Sequence, residues 1–207
     1  SNTVTIDIVV DPSPVSGFTV NTASQCNKDH QFVFTNTSTV SAGTLQYSWD
    51  LGDGNTSIAT DVTHSYAQTG TYTVKLVTTS DKGCKDSSSF TVNVFESPLA
   101  GFTANINELC QKNNQFVFTN TSSVAAGVLQ YSWDMGDGSS IINTRDVTYS
   151  YIQPGNYTVK LLVITDNGCK DSAAFDVTIN PQPVAGFAIN NPEQCFGDHQ
   201  YILTNTT

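Results

Sequence analysis

Three ordered segments decide how the chain is read: Trp49-Asp-Leu-Gly-Asp-Gly54, then Thr63-His-Ser-Tyr66, then Gly70-Thr-Tyr-Thr-Val-Lys-Leu76. The last alternates, with Tyr72, Val74 and Leu76 on one side and Thr71, Thr73 and Lys75 on the other. A period of two marks a half-buried β-strand. The Asp-Gly pairs before it carry turn chemistry, because glycine reaches positive φ without steric cost and a short carboxylate bonds nearby amides. Similar short runs at 17–21, 31–36, 46–51, 61–66, 71–78 and 89–94 are bounded by Gly, Asn, Asp or Pro. No helical periodicity competes with them.

The whole pattern returns. Gln46-Tyr-Ser-Trp-Asp-Leu-Gly-Asp-Gly54 recurs as Gln130-Tyr-Ser-Trp-Asp-Met-Gly-Asp-Gly138, an offset of 130 − 46 = 84. Tyr72-Thr-Val-Lys-Leu76 recurs as Tyr157-Thr-Val-Lys-Leu161, an offset of 157 − 72 = 85. One residue has therefore been added between Gly138 and Asp146, in a loop where insertion costs little. Gln31-Phe-Val-Phe-Thr-Asn-Thr-Ser38 and Gly83-Cys-Lys-Asp-Ser87 also have second copies, starting at Gln115 and Gly168. Self-similarity at a fixed period is the sequence sign of a tandem array. The expected division is two full repeats, 12–96 and 97–181, flanked by pieces of the same unit. Residues 1–11 read as the last strand of a preceding repeat, with Ile6, Ile8 and Val10 standing where Phe90, Val92 and Val94 stand. Residues 182–207 read as the first strands of a following one, so the array is expected to continue both ways.

Composition narrows the function classes. Charged residues make up 13% of the chain, about half the usual ~25%. Eight basic residues against eighteen acidic ones give a net charge of −10. Scattered lysines on so acidic a chain cannot neutralise phosphates along a groove, which argues against nucleic-acid binding. No apolar run approaches the ~20 residues of a membrane helix, so membrane insertion is not expected.

With about six or seven strands per repeat and a Trp on the third, each unit fits an immunoglobulin-like sandwich. The three opening motifs resemble the signature of PKD domains, which runs WDFGDG…HxY…GxYxVxLxV. The second copy departs at one position, where Tyr149 replaces His64. The resemblance covers both full repeats and implies an all-β chain of PKD-type sandwiches arranged head to tail. Asn36-Thr-Ser, the periodic cysteines and the junctions ending in Gly-Phe are further similar to repeat-rich surface proteins of Bacteroidota, gliding-motility adhesins among them.

The two turns supply the candidate site residues: Trp49, Asp50, Gly52, Asp53 and Gly54 in one repeat, Trp133, Asp134, Gly136, Asp137 and Gly138 in the other. Paired carboxylates could form an acid/base couple. An intact duplicate in adjoining repeats, with no other polar partner, reads instead as structure. Asp53-Gly54 would make the positive-φ turn and Asp50 would bond its amides. Neither a catalytic residue nor a metal ligand is assigned, and no cofactor is expected. Calcium is the one candidate ion, since the resemblance extends to collagenase PKD domains that hold it through an acidic loop. The corresponding loop here, Thr37-Ser-Thr-Val-Ser-Ala-Gly-Thr44, has no carboxylate, leaving Asp81 and Asp166 as partial ligands. Ca²⁺ takes six to eight oxygens. The histidines do not hold their places: His64 becomes Tyr149, and His30 and His199 become Asn114. No Gly-x-Ser-x-Gly elbow or Cys-x-x-Cys pair is present.

Five cysteines fall into two periodic sets. Cys26, Cys110 and Cys195 precede the second expected strand; Cys84 and Cys169 lie at the turn between the last two. Two positions per repeat imply disulfides in an exported protein. One pairing is internal to each repeat, Cys26–Cys84 and Cys110–Cys169. The other follows from topology: the first loop and the last hairpin of a sandwich sit at opposite poles, about 20 Å apart, whereas a disulfide needs Cα atoms within about 7 Å. In a head-to-tail array that favours Cys26–Cys169, with Cys84, Cys110 and Cys195 expecting partners in repeats outside the chain. The implied role is a stiff extracellular stalk segment whose partners are neighbouring repeats. The alternative is a polysaccharide- or protein-binding accessory module of a secreted hydrolase, with a surface glycan or protein as ligand. An enzyme would need a polar cluster present in one repeat only, and none is visible. Asn36, Asn55, Asn120, Asn156 and Asn205 lie in Asn-x-Ser/Thr sequons.

Overall fold

The computed structural model describes residues 10–197 and 200–207. The strand expected at 1–11 lies almost wholly outside these residues, as does His199. By backbone contacts the chain divides into two compact units. The first comprises Ser1–Pro98, Val124–Val128 and Thr165–Lys170; the second comprises Leu99–Ser123, Leu129–Ile164 and Asp171–Thr207.

The first repeat carries eight strands: β1 (Phe18–Val20), β2 (Ser24–Cys26), β3 (Phe32–Asn36), β4 (Leu45–Asp50), β5 (Thr56–Ser57), β6 (Val62–His64), β7 (Gly70–Ser80) and β8 (Lys85–Phe95). They form two sheets, β1-β3-β6 and β2-β8-β7-β4-β5. All neighbours run antiparallel except β2, which lies parallel to the end of β8 with Cys26 opposite Phe95. The chain thus changes sheets within its first few residues, and this placement of Cys26 differs from a loop before the second strand. A three-residue polar strand has no alternation to announce it; its stability comes from pairing with a distant partner.

The second repeat follows the same plan with β9 (Phe102–Ala104), β10 (Glu108–Cys110), β11 (Phe116–Asn120), β12 (Leu129–Asp134), β13 (Val147–Tyr149), β14 (Gly155–Thr165) and β15 (Lys170–Asn180). Its sheets are β13-β11-β9 and β10-β15-β14-β12. The β5 counterpart shrinks to one bridge, Trp133 to Ile142, where the extra loop residue falls. A last hairpin pairs β16 (Phe187–Ile189) with β17 (Leu203–Asn205).

Alternation places the core. Phe32, Phe34, Trp49, Val74, Leu76, Val92 and Val94 are buried between the sheets of the first repeat. Phe116, Phe118, Trp133, Val159, Leu161, Val177 and Ile179 are their counterparts. Phe18 meets Trp49 edge-on at 5.0 Å, and Phe102 meets Trp133 at 4.9 Å. Each indole also donates to a backbone carbonyl at 2.9 Å, Ala59 for Trp49 and Thr144 for Trp133. A buried Trp thereby keeps its one polar atom satisfied.

The strands β7 and β8 run further than the apolar pattern suggests, because Ser87, Ser88 and Ser89 still pair with Val77, Leu76 and Lys75. Among the sequons, Asn120 is only 6% exposed in the folded chain.

Candidate functional site

The turn after β4 is built by its carboxylates. Asp50 Oδ1 accepts from the Gly52 amide at 3.0 Å, and Asp53 Oδ1 accepts from the Asn55 amide at 3.0 Å. Asp134 and Asp137 repeat both bonds, to Gly136 at 2.9 Å and Ser139 at 3.0 Å. Positive φ falls on Gly52 (83°) and Gly54 (91°), and on Gly136 (78°) and Gly138 (81°). Asp53 itself keeps an ordinary φ, so the turn is carried by the two glycines of each motif and not by an Asp-Gly pair in the left-handed region.

A tyrosine locks the turn from below. Tyr66 Oη donates to the Leu51 carbonyl at 2.8 Å, and Tyr151 Oη donates to the Met135 carbonyl at 2.8 Å. Burial, followed by the charge of Asp53, pushes the Tyr66 phenol well above its usual range, so it remains a donor. Its ring stacks on Tyr72 at 3.8 Å, and Tyr151 stacks on Tyr157 at 4.1 Å. Removing the hydroxyl leaves a buried carbonyl unpaired, so Tyr66→Phe is expected to cost about 1–3 kcal/mol in a denaturant titration.

The histidines acquire roles that their replacement in the second repeat hides. His64 Nε2 lies 2.8 Å from Asp53 Oδ2, and Tyr149 Oη donates to Asp137 Oδ2 at 2.7 Å. His30 Nε2 accepts from the Tyr66 amide at 2.8 Å, and Asn114 Oδ1 accepts from the Tyr151 amide at 2.7 Å. That acceptor role places the His30 proton on Nδ1, 3.0 Å from the Asn27 carbonyl. Each substitution changes the residue and keeps the hydrogen bond. The exchange His64→Tyr keeps a donor for Asp53 and should accordingly cost less than about 1 kcal/mol, the net worth of one such bond. Tyr149→Phe, which deletes the donor, should cost about 1 kcal/mol.

These bonds set the charge state of the turn. Burial raises the Asp53 carboxyl, but bonds from His64 and Asn55 outweigh it and hold it below the ordinary value. Asp137 is lowered in the same way, burial being offset by Ser139 and Tyr149. A depressed folded value means the stabilisation is present above the ordinary carboxylate range of about 4 and is lost as pH falls through the folded value. Melting temperature should therefore drop more steeply on acidification for the parent than for an Asp53→Asn, Asp137→Asn variant.

The turn carboxylates are taken up by bonds within the turn itself. Both Asp53 oxygens are engaged, Oδ2 also by the Asn55 side chain at 2.9 Å. Among the described residues no group of three or more His, Cys, Asp or Glu converges. The Asp81 carboxylate packs over Gly43 and that of Asp166 over Gly127, each against a loop glycine.

The cysteines form the second candidate feature. Cys26 and Cys169 are joined, with S–S 2.08 Å and Cα atoms 5.6 Å apart across a sequence separation of 143. Both belong to the first compact unit, which takes in Thr165–Lys170. The reason Cys26 cannot reach Cys84 is visible in the register. Cys26 sits opposite Phe95, whereas Cys84 precedes Lys85 at the far end of the same strand. Eleven residues at about 3.3 Å each separate the two ends by roughly 36 Å. Cys84, Cys110 and Cys195 carry free thiols.

The PKD-domain family profile matches residues 11–94 and 96–179. The chain therefore belongs to the PKD-domain family. It is 29% identical over 145 residues to the pre-pro-metalloprotease PrtV of Vibrio cholerae, covering 70% of this chain and 16% of that protein. It is 33% identical over 72 residues to collagenase ColA of Bacillus cereus, covering 35% of this chain and 8% of that one. The chain thus spans a small part of the curated relatives it matches. The crystallised PKD1 domain of Vibrio anguillarum Epp is 31% identical, covering 42% of this chain and 99% of that domain, with a TM-score of 0.37. No described helix is long and apolar enough to cross a membrane.

Proposed function

We propose that the chain is a non-catalytic structural segment of an extracellular protein, a stalk whose repeats supply length and resist extension. The observation that carries this reading is the Cys26–Cys169 disulfide, which ties a strand of the first repeat to the last hairpin of the second. Tension applied at the two ends enters at Cys26, crosses the sulfur atoms and leaves from Cys169 along β15. The chain between them lies outside the covalent path and cannot be drawn out to full length while the bond is intact. The Pro-containing stretches Phe95-Glu-Ser-Pro-Leu-Ala100 and Asn180-Pro-Gln-Pro-Val-Ala185 add local stiffness. Disulfides of this kind persist in oxidising compartments, which agrees with an exported protein. The resemblance to repeat-rich surface adhesins, gliding-motility adhesins among them, supports placing the stalk at a cell surface.

Force spectroscopy on the chain held at its termini tests this. A separation of 143 residues at about 3.5 Å per residue corresponds to roughly 500 Å of chain. Oxidised molecules should extend by about that much less than reduced ones, whereas equal extensions would refute the force-bypass reading.

A second reading is an accessory module of a secreted hydrolase, favoured by relatives named as a metalloprotease and a collagenase. Saturable binding of the chain to a polysaccharide or collagen matrix would promote it over the stalk.

A further inference from the structure

We propose that Cys84 and Cys110 are the two complementary halves of the same inter-repeat disulfide, and that each takes as its partner another repeat of this kind. The inference rests on reading the repeats as links of an array. It names the chemistry by which further links are fastened.

Cys110 reproduces the presentation of Cys26. In both repeats the cysteine closes a three-residue strand lying parallel to the last strand, Cys26 opposite Phe95 and Cys110 opposite Asn180. The following amide bonds that strand in both: Asn27 donates to the Phe95 carbonyl at 2.7 Å and Gln111 to the Asn180 carbonyl at 2.9 Å. The preceding turn matches too, since Asn93 donates to Ala23 and Thr178 donates to Asn107, each at 2.9 Å.

Cys84 reproduces the presentation of Cys169. The Ser80 amide donates to the Cys84 carbonyl at 2.9 Å, and the Thr165 amide donates to the Cys169 carbonyl at 2.9 Å. The side-chain hydroxyls return the bond, Ser80 Oγ accepting from the Cys84 amide at 3.2 Å and Thr165 Oγ1 from the Cys169 amide at 3.0 Å. Gly83 and Gly168 close the two turns at φ 85° and 82°. The surrounding surface is copied as well. The segments Val124–Val128 and Thr165–Lys170, which cluster with the first unit, correspond to 40–44 and 80–85 in the first repeat. Bonded Cys169 is 0% exposed, whereas Cys84 is half-buried and Cys110 exposed.

Because a bonded pair exists within this molecule on the same two backbone settings, the free thiols are not isolated cysteines. Cys110 is a socket of the Cys26 type, Cys84 a plug of the Cys169 type, and Cys195 occupies the next socket position, 195 − 110 = 85 residues on. Such a plug-and-socket contact joins unlike surfaces, so the same contact can be repeated from one unit to the next. Bond formation needs a small-molecule disulfide such as oxidised glutathione as oxidant. One protein thiolate attacks it, releasing a glutathione thiolate and leaving a mixed disulfide; the second protein thiolate then displaces the other glutathione. Two protein thiols lose their protons and two electrons, and one glutathione disulfide becomes two thiols.

A second copy of the chain is the probe. Equal amounts of isotopically light and heavy chain are held at high concentration in a glutathione redox buffer, quenched, digested without reduction and mapped by mass spectrometry. The expected result is mixed-isotope peptides joining Cys84 to Cys110 or Cys195, in oligomers that reductant dissolves. Cys84→Ser should abolish these oligomers while the Cys26–Cys169 peptide persists. A parent chain that stays monomeric, with Cys84 and Cys110 alkylated throughout, would overturn the proposal. So would predominance of like pairs, Cys84–Cys84 or Cys110–Cys195. Either outcome leaves the oxidised-versus-reduced extension difference untouched, so the stalk reading stands or falls separately.

Discussion

The double substitution Cys26→Ser, Cys169→Ser will lower the denaturant midpoint of the chain by the largest margin. A crosslink between residues 143 apart in sequence removes a large share of the unfolded chain's freedom. The chain-entropy relation puts that at about 5 kcal/mol, an upper bound that residual order in the unfolded chain reduces. With two repeats the unfolding need not be two-state. The readout is therefore the denaturant concentration at which the last folded signal disappears. Reductant should bring the parent to the position of the double variant and leave that variant unmoved. If reductant shifts both alike, the stabilisation comes from elsewhere.

Gly52→Ala comes second in size, and its neighbour Gly54 is its control. Both glycines sit in the left-handed region, where a β-carbon costs about 1–2 kcal/mol. Their surroundings differ. A β-carbon on Gly52 would come 2.7 Å from the Thr73 carbonyl oxygen and 3.0 Å from its amide nitrogen, while one on Gly54 would meet nothing within 4 Å. The obstruction is backbone in a central strand and cannot swing aside, so a further ~1–3 kcal/mol of strain is added. Gly52→Ala should cost about 2–5 kcal/mol and Gly54→Ala about 1–2. Gly136 and Gly138 should repeat the contrast, since Gly136 faces the Thr158 oxygen at 2.6 Å and Gly138 faces open space. Equal losses at both glycines would show that φ strain alone governs the turn.

These two results draw on different depths of the sequence. The β-sandwich and its core were legible because alternation at Tyr72, Val74 and Leu76 is a local signal and the second copy doubles it. The β2 and β10 strands were not. Ser24-Gln25-Cys26 is polar and short, and the strand it pairs with lies about seventy residues away. Their omission matters, because β2 is what carries Cys26 to one end of β8 and so separates it from Cys84.

The histidines teach a related lesson. Replacement of His64 by Tyr149 and of His30 by Asn114 reads as loss when residues are compared by name. Compared by hydrogen-bonding capacity, the first pair keeps a donor to a turn carboxylate and the second keeps an acceptor for a tyrosine amide. That signal was present in the sequence, in what each pair of side chains can donate or accept. The different duties of Gly52 and Gly54 had no such signal, since the Thr73 backbone approaches only in the folded turn.

Non-reducing proteolysis of the oxidised chain, with the disulfide peptides identified by mass spectrometry, tests the central claim most directly. A peptide joining Cys26 to Cys169 is the predicted result. Recovery of Cys26 joined to Cys84, together with Cys110 joined to Cys169, would confine each bond to one repeat and contradict it.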